Sequence, residues 1–237
     1  MSAPHDPEEN GINRADAEAL CRYARQMVTD GLAEGTSGNL SVRRGDLVAV
    51  TPSAVPPERM TPEDICRVRL DGTQLAGPGR PSSELPMHLA IYHRTDALAI
   101  VHTHSPWTTA VSTVATELPP IHYLLTFLGE AVRVAPYATP GSTELGDRVV
   151  EALSRSSAVI LQNHGAVTVG PSLERAYWYA SILEWVAALW SRASLLGTPR
   201  LLSTEEMAQA AEALRDYGGL GDHGDLGDDE GLGSTSG

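Results

Sequence analysis

Lysine is what this chain has least of: arginine supplies its 17 basic side chains, set against 30 acidic ones for a formal net charge of −13. A field of that sign excludes nucleic acid and anionic membrane surfaces as partners, because both are polyanions held by clustered cations. Cysteine is scarce as well. Cys21 and Cys66 stand in separate amphipathic contexts with no paired motif, which predicts two buried, reduced thiols rather than a disulfide framework. Aromatic residues make up only 5%, so the apolar share of 42% is carried by aliphatics and alanine, an ordinary content for a soluble protein. No run approaches the ~18 uninterrupted apolar residues of a membrane span. The opening Met1 to Asn10 lacks the basic-then-apolar pattern of a secretion signal. Together these absences predict a cytoplasmic protein.

What is present suits one well-cored domain, since no linker rich in Pro, Gly or Ser divides the interior of the 237 residues. Residues 1–12 read as a flexible lead, 13–217 as the domain, and 218–237 as an acidic, glycine-rich tail with no apolar periodicity and no packed structure. Asn13 to Leu32 carries Leu20, Cys21, Ala24, Met27 and Val28 at helical spacing. After the break Glu34 to Asn39, the stretches Leu40 to Arg43 and Asp46 to Thr51 alternate like a hairpin. Thr61-Pro62-Glu63-Asp64 starts a short helix, and Val68 to Gly72 reads as strand and turn. Ser82-Ser83-Glu84 is expected to cap a helix running to about His93. Further strands are expected at Leu98 to His104, Ala131 to Val134, Val159 to Gln162 and Ala166 to Val169. Helices are expected at Trp107 to Ala115, Ser142 to Ser154, Leu173 to Leu196 and Thr204 to Tyr217. Hairpins and helical connections occur together, so the fold class is α/β: a single domain whose central mixed or antiparallel sheet is covered by helices on both faces.

The chemistry concentrates in Val101-His102-Thr103-His104 and Gln162-Asn163-His164-Gly165. Histidines at i and i+2 of a β-branched run share one face of a strand, and His164 ends a second apolar run, Ala158 to Leu161. Three imidazoles with an open fourth position are the pattern of a catalytic zinc rather than a structural one. His88 and His93 fall on the intervening helix and read by default as packing or surface residues. Glu84 is open between a first-turn acid favoured by the helix dipole and a general acid/base beside a metal.

Three loops rich in hydroxyls offer a complementary function. Gly35-Thr36-Ser37-Gly38-Asn39, Thr51-Pro52-Ser53-Ala54 and Ser82-Ser83 can present backbone N–H groups and neutral donors to an anion. Each alone is an ordinary turn. Jointly they would hold a phosphate locally against the negative field of the whole chain.

Gly35 to Asn39, Thr51 to Ser53, Pro81-Ser82-Ser83-Glu84, Val101 to His104, Ile121-His122-Tyr123, Ala135-Pro136-Tyr137-Ala138-Thr139 and Asn163-His164-Gly165, in that order over residues 14–217, resemble the class II aldolase/adducin family. The resemblance implies Zn2+ held by His102, His104 and His164, with Glu84 as a further ligand that gives way to substrate and serves as acid/base. It implies a phosphate site made of Asn39, Ser53, Ala54, Ser82 and Ser83. It also implies that Tyr123 and Tyr217 act in a neighbouring subunit's site, within a ring-like homotetramer. Tyr217, in Asp216-Tyr217-Gly218, can equally be read as a plain surface tyrosine. The implied activity is reversible cleavage of a ketose 1-phosphate, a small-molecule sugar phosphate, to dihydroxyacetone phosphate and a short aldehyde, with no catalytic lysine. Other readings stay open: a sugar-phosphate epimerase, dehydratase or decarboxylase on the same scaffold, a non-catalytic adducin-like interaction module, and a three-histidine oxygenase. Glutamate at 84 favours the aldolase over epimerases that carry aspartate there, and the intact Glu84 with three histidines argues against the interaction module.

Overall fold

The computed structural model describes residues 11–129 and 131–215. Tyr217, most of the lead and the tail 218–237 lie outside the described residues. Ile12, counted with the lead, is buried against the first helix.

Nine strands form one sheet in the order β4-β3-β2-β1-β5-β9-β8-β7-β6. They are β1 (Asn39–Arg44), β2 (Leu47–Val50), β3 (Cys66–Arg69), β4 (Gln74–Ala76), β5 (Ala99–Thr103), β6 (Glu117–Leu118), β7 (Val132–Ala135), β8 (Ala158–Leu161) and β9 (Gly165–Gly170). Every neighbouring pair is antiparallel except β7 and β8, so the sheet is mixed. Six α-helices are described: α1 (Arg14–Thr29), α2 (Leu85–Arg94), α3 (Pro106–Ser112), α4 (Thr143–Leu153), α5 (Leu173–Leu196) and α6 (Thr204–Arg215).

Strand alternation decides which helix meets which face. Leu40, Val42, Ala99 and Val101 pack with α1 and α5, while Ile160 and Ala166 meet α3 and α5. Ile100, Val159, Leu161 and Val167 point the other way, onto α2 and α4. Helices therefore cover both faces, as expected. Full burial of each such aliphatic contributes about 1.5–3 kcal/mol, which fixes the strand register, because a slip of one residue would turn every side chain over.

Local signals set the helix ends. Asn13 caps α1 in a reciprocal box: its side chain accepts from the Asp16 N–H at 2.9 Å, and the Asp16 carboxylate accepts from the Asn13 N–H at 3.2 Å. The Ser142 and Ser172 hydroxyls cap α4 and α5. Glu184 on α5 closes the start of α3, accepting from the Trp107 and Thr108 N–H groups at 2.8 Å each and from the Thr108 hydroxyl at 2.7 Å.

Several boundaries differ from the sequence reading. The first helix stops at Thr29 rather than Leu32, and Thr61 to Asp64 yields only a 3-10 turn over Pro62–Asp64. Strands β4 and β6 and the 3-10 helix Tyr123–Leu128 are too short for periodicity to show. The helix begun near Ser82 has Glu84, not a serine, at its cap position, and the Glu84 side chain makes no cap bond. Cys21 and Cys66 are buried and free, as expected, and burial pushes both thiols up from their ordinary pKa.

Candidate metal and substrate site

The carboxyl-side end of β5 and the tight β8–β9 turn lie side by side in the middle of the sheet. β5 and β9 pair from Ala99 opposite Gly170 to Thr103 opposite Ala166, which brings His102 and His104 beside His164. The three rings stand edge to face, with centroids 4.8–4.9 Å apart. Gly165 makes this approach possible. A Cβ there would stand 2.0 Å from the Thr103 carbonyl oxygen, well inside contact distance.

From the adjoining helix α2, Glu84 completes the group. Its Oε2 lies 2.7 Å from His102 Nε2 and its Oε1 3.3 Å from His164 Nε2. The ligating atoms of Glu84, His102, His104 and His164 all fall within 4.8 Å of one another. His102 Nδ1 donates to the Ala166 carbonyl at 2.9 Å, so its Nε2 lone pair faces the other donors. His102 and His104 meet Nε2 to Nε2 at 2.9 Å.

Electrostatics suit a cation. Burial lowers the His104 and His164 imidazoles to about 4, with the charge of His102 adding to the effect, so both lone pairs stay open at neutral pH. Burial alone would raise the Glu84 carboxyl. In the metal-free protein a proton on His102 Nε2 outweighs it by charge and hydrogen bond, with His164 and Asn39 adding, and holds the group well below the usual carboxylate range; a metal would take the place of that proton. Glu84 Oε1 is buried and accepts no hydrogen bond among the described residues. An ionised buried oxygen without a donor, facing three imidazole nitrogens, is what a divalent cation would complete. The residues fit the metal.

A cleft of about 390 Å³ opens over this cluster. It gathers the three hydroxyl-bearing loops: Thr36 and Ser37 on one wall, Ser53 and Ala54 on a second, Ser82 and Ser83 on a third, with His104, His164, Tyr137 and Asn163 completing it. Two of its non-glycine residues hold left-handed backbone, Ala54 (φ 59°) and Asn163 (φ 56°), a strain that clusters at ligand sites. Ser82 is buried, and its hydroxyl accepts from the Glu84 N–H at 3.2 Å; Ser53, Ala54 and Ser83 are exposed to the cleft.

Asn39 stands differently from the other expected phosphate ligands. It touches the cleft, but its side chain is engaged on both sides, donating from Nδ2 to Glu84 Oε2 at 3.1 Å and facing His88 Nε2 with Oδ1 at 2.6 Å. Gly38 beside it has φ +74°, and a Cβ there would come 2.8 Å from the His102 carbonyl oxygen. Tyr123 is not part of the cleft. It is exposed, stacked on His122 at 4.4 Å, and His122 stands edge-on to the exposed Trp185.

His88, read from sequence by default as a packing or surface residue, is fully buried and bonded at both ring nitrogens. The available signal was its place one helical turn after Glu84, on the same face of α2.

Three histidines and one carboxylate, buried at Glu84 and His102 and partly open at His104 and His164, stand together at a hydroxyl-lined cleft as a group able to hold a metal ion, the arrangement of a metal-dependent enzyme class. Residues 18–191 match the model of the class II aldolase and adducin N-terminal domain. The chain is 37% identical over 188 residues to a 5-deoxy-D-ribulose 1-phosphate aldolase of Bacillus thuringiensis serovar kurstaki, covering 78% of this chain and 88% of that one. It is 40% identical over 168 residues to the L-fuculose phosphate aldolase of Escherichia coli, covering 70% and 77%. Among solved structures it is similar to an L-fuculose 1-phosphate aldolase with a TM-score of 0.83 and 34% identity, over 86% of this chain and 98% of that one. The chain belongs to the class II aldolase/adducin family, and it is a class II aldolase, an enzyme of the lyase type. Among the described residues no helix is long and apolar enough to cross a membrane.

Proposed function

We propose that the protein is a zinc-dependent aldolase that reversibly cleaves a ketose 1-phosphate, L-fuculose 1-phosphate or a related deoxy-ketose 1-phosphate, to dihydroxyacetone phosphate and a short aldehyde. The observation that carries this reading is the placement of Glu84, His102, His104 and His164 at the floor of a cleft whose walls are hydroxyls and backbone. All 17 basic residues are arginine, so the chain has no lysine with which to form a Schiff base, and stabilisation of the carbanion must come from elsewhere.

Three imidazoles and a carboxylate, with no thiolate, suit zinc. When bound, the ion supplies Lewis-acid stabilisation of the negative charge that develops on the substrate's C2 oxygen. The hydroxyls of Ser53, Ser82 and Ser83 and the Ala54 backbone bind the C1 phosphate; the Asn39 side chain, expected there too, is committed to Glu84 and His88 and serves the carboxylate instead. Donors fixed in position do this without adding net positive charge. In cleavage the O4 proton leaves, the C3–C4 bond breaks as C4 becomes the aldehyde carbonyl, and the electron pair stays on C3 of the enediolate. Glu84, after taking up a proton from water in exchange for the one released from O4, delivers it to C3 and is left as the carboxylate. In the condensing direction its carboxylate, held ionised, removes that proton from dihydroxyacetone phosphate.

Tyr123, exposed beside His122 and outside its own subunit's cleft, is assigned to the O4 proton of a neighbouring subunit's substrate, in a homotetramer; Tyr217 is assigned to the same neighbouring site. Two free buried thiols suit a reducing compartment, the cytoplasm.

The test is to incubate the zinc-loaded protein with L-fuculose 1-phosphate and 5-deoxyribulose 1-phosphate and assay dihydroxyacetone phosphate. Its release supports the reading, and the relative turnover names the preferred aldehyde. An epimer as sole product, or a protein that binds no metal by elemental analysis, would replace it with the epimerase or interaction-module alternative.

A further inference from the structure

Behind Glu84, on the side away from the cleft, a line of buried polar side chains runs into the layer between the sheet and α2. Asn39 Oδ1 lies 2.6 Å from His88 Nε2, His88 Nδ1 lies 2.6 Å from Ser41 Oγ, and Ser41 Oγ lies 2.7 Å from the Tyr92 hydroxyl. Ser41 and His88 are fully buried and Tyr92 is 1% exposed.

Sequence and register deliver both ends of the line. Asn39 and Ser41 alternate onto one face of β1, where Asn39 pairs opposite His102 and Ser41 opposite Ile100. Glu84, His88 and Tyr92 recur every four residues along α2 and so lie on one helical face. The two rows meet side chain to side chain.

Hydrogen inventory fixes the direction of every bond. The Glu84 carboxylate can only accept, so Asn39 turns Nδ2 toward it and leaves Oδ1, an acceptor, facing His88. His88 Nε2 must then carry the ring proton. The ring is neutral, because burial lowers its pKa to about 3, so Nδ1 holds a lone pair and accepts from the Ser41 hydroxyl. The Ser41 oxygen accepts in turn from Tyr92, whose phenol burial pushes up. Each bond donates toward Glu84, an arrangement in which each polarises the next.

We infer that His88 is a positioning residue for catalysis: donating from Nε2, it locks the Asn39 amide in the one orientation whose N–H holds the Glu84 carboxylate for proton transfer at C3. Without that donor the amide can turn over and present Oδ1 to the carboxylate, setting two acceptors against each other. The inference rests on the role proposed for Glu84.

Two observations test it. In the metal-free protein, nitrogen NMR of the histidine rings should find the His88 proton on Nε2 and an unprotonated Nδ1; the proton on Nδ1 would overturn the inference. Two substitutions then separate the ring's two ends. Glutamine can place an amide N–H where Nε2 stands, whereas asparagine reaches only the position of Nδ1 and leaves no donor where Nε2 stands. With zinc content matched by elemental analysis, His88→Gln should keep kcat within a few-fold, and His88→Asn should lower it roughly 10–100-fold with KM little changed. In a Glu84→Gln background the His88→Asn loss should vanish, since it acts through that carboxylate. Wild-type kcat in His88→Asn, equal losses in both His88 variants, or a full additional loss in the Glu84→Gln background would each overturn it. A Glu84→Gln enzyme with wild-type kcat fails differently: it removes the role of Glu84 and leaves the ring tautomer as found.

Discussion

The floor and the rim of the cleft are built on different principles. The floor is a product of sheet register: His102 lies on β5 and His104 follows directly after its last residue, β9 pairs alongside, and Gly165 brings the β8–β9 turn against the Thr103 carbonyl. Its atoms are buried and oriented, as the His102 bond to Ala166 and the Asn39 bond to Glu84 illustrate. The rim is made of Thr36, Ser37, Ser53 and Ser83, carried on three loops far apart in sequence, and most of these are exposed. Strongly coupled groups belong where the backbone is most constrained, since a metal ligand displaced by an ångström is lost. The phosphate binding proposed for the rim would tolerate the looser part, because several weak donors share one dianion. Changes in the floor should therefore abolish turnover or folding, and changes in the rim should tune affinity.

The largest expected effects are on the floor. His102→Ala should lose both zinc and turnover, read by elemental analysis and by release of dihydroxyacetone phosphate. Glu84→Gln should retain zinc better than His102→Ala does, yet lose turnover by about 10²–10⁴-fold, the usual contribution of general acid/base catalysis. Equal zinc loss in the two variants would make Glu84 a ligand first and an acid/base second. Next comes the backbone. In Gly165→Ala the new Cβ would meet the Thr103 carbonyl at 2.0 Å, and neither strand can retreat without breaking the β5–β9 ladder. A destabilisation of about 3 kcal/mol or more is expected from denaturant melts; a wild-type midpoint would show the pairing to be looser than drawn.

That contrast also explains what could be read from sequence. The strand histidines were legible because period-two spacing is a local property and survives folding, and both flanking runs are β-branched enough to declare themselves strands. The same holds for α1, α4 and α5, whose caps and apolar spacing agree with their packing. The rim was not legible as a site from any one loop, because each is locally an ordinary turn and only tertiary apposition unites them. It was the family resemblance that placed Ser53 beside Ser83. His88, read by default as a packing or surface residue, is buried, and its polar partners were hidden for a related reason. A histidine on an amphipathic helix carries no sign of its partners, and those partners, Asn39 and Ser41, come from a strand more than forty residues earlier. Glu84 was expected to follow a serine cap; instead it takes the cap position with its side chain turned to the histidines, a choice made by the site rather than by helix propensity.

Acid should strike the floor before the rim. The folded-state values of His88 (about 3), His104 and His164 (about 4) lie below the ordinary histidine value near 6.5, so between these limits the unfolded chain binds more protons. Their contribution to stability is complete above about pH 6.5 and is lost as pH falls toward 4 and then 3. Each pKa unit is worth about 1.4 kcal/mol at the fully buried His88, and less at His104 and His164, which solvent partly reaches. The metal-free protein should therefore show Tm falling steadily below pH 6.5, with His88→Gln flattening the lower part of the curve. A Tm unchanged down to pH 4 would mean that the three rings are already charged in the fold.

The smallest effect belongs to the rim and completes the contrast. Ser53 is exposed and its N–H is already given to the Arg80 carbonyl at 2.9 Å, so only its hydroxyl is left for a phosphate. Removing one hydrogen bond to a charged group costs about 1.5–3 kcal/mol when nothing replaces it, or roughly tenfold to a hundredfold in binding, and water in an open cleft replaces much of it. Ser53→Ala should accordingly raise KM for the ketose 1-phosphate by about tenfold and leave kcat nearly unchanged, the signature of uniform binding lost. It should leave zinc content and Tm untouched. A non-phosphorylated ketose provides the control, since its KM should not respond to the substitution. If instead kcat falls while KM holds, the Ser53 loop acts on the reacting carbons as well as the phosphate, and the division between a chemical floor and a binding rim is wrong at that loop.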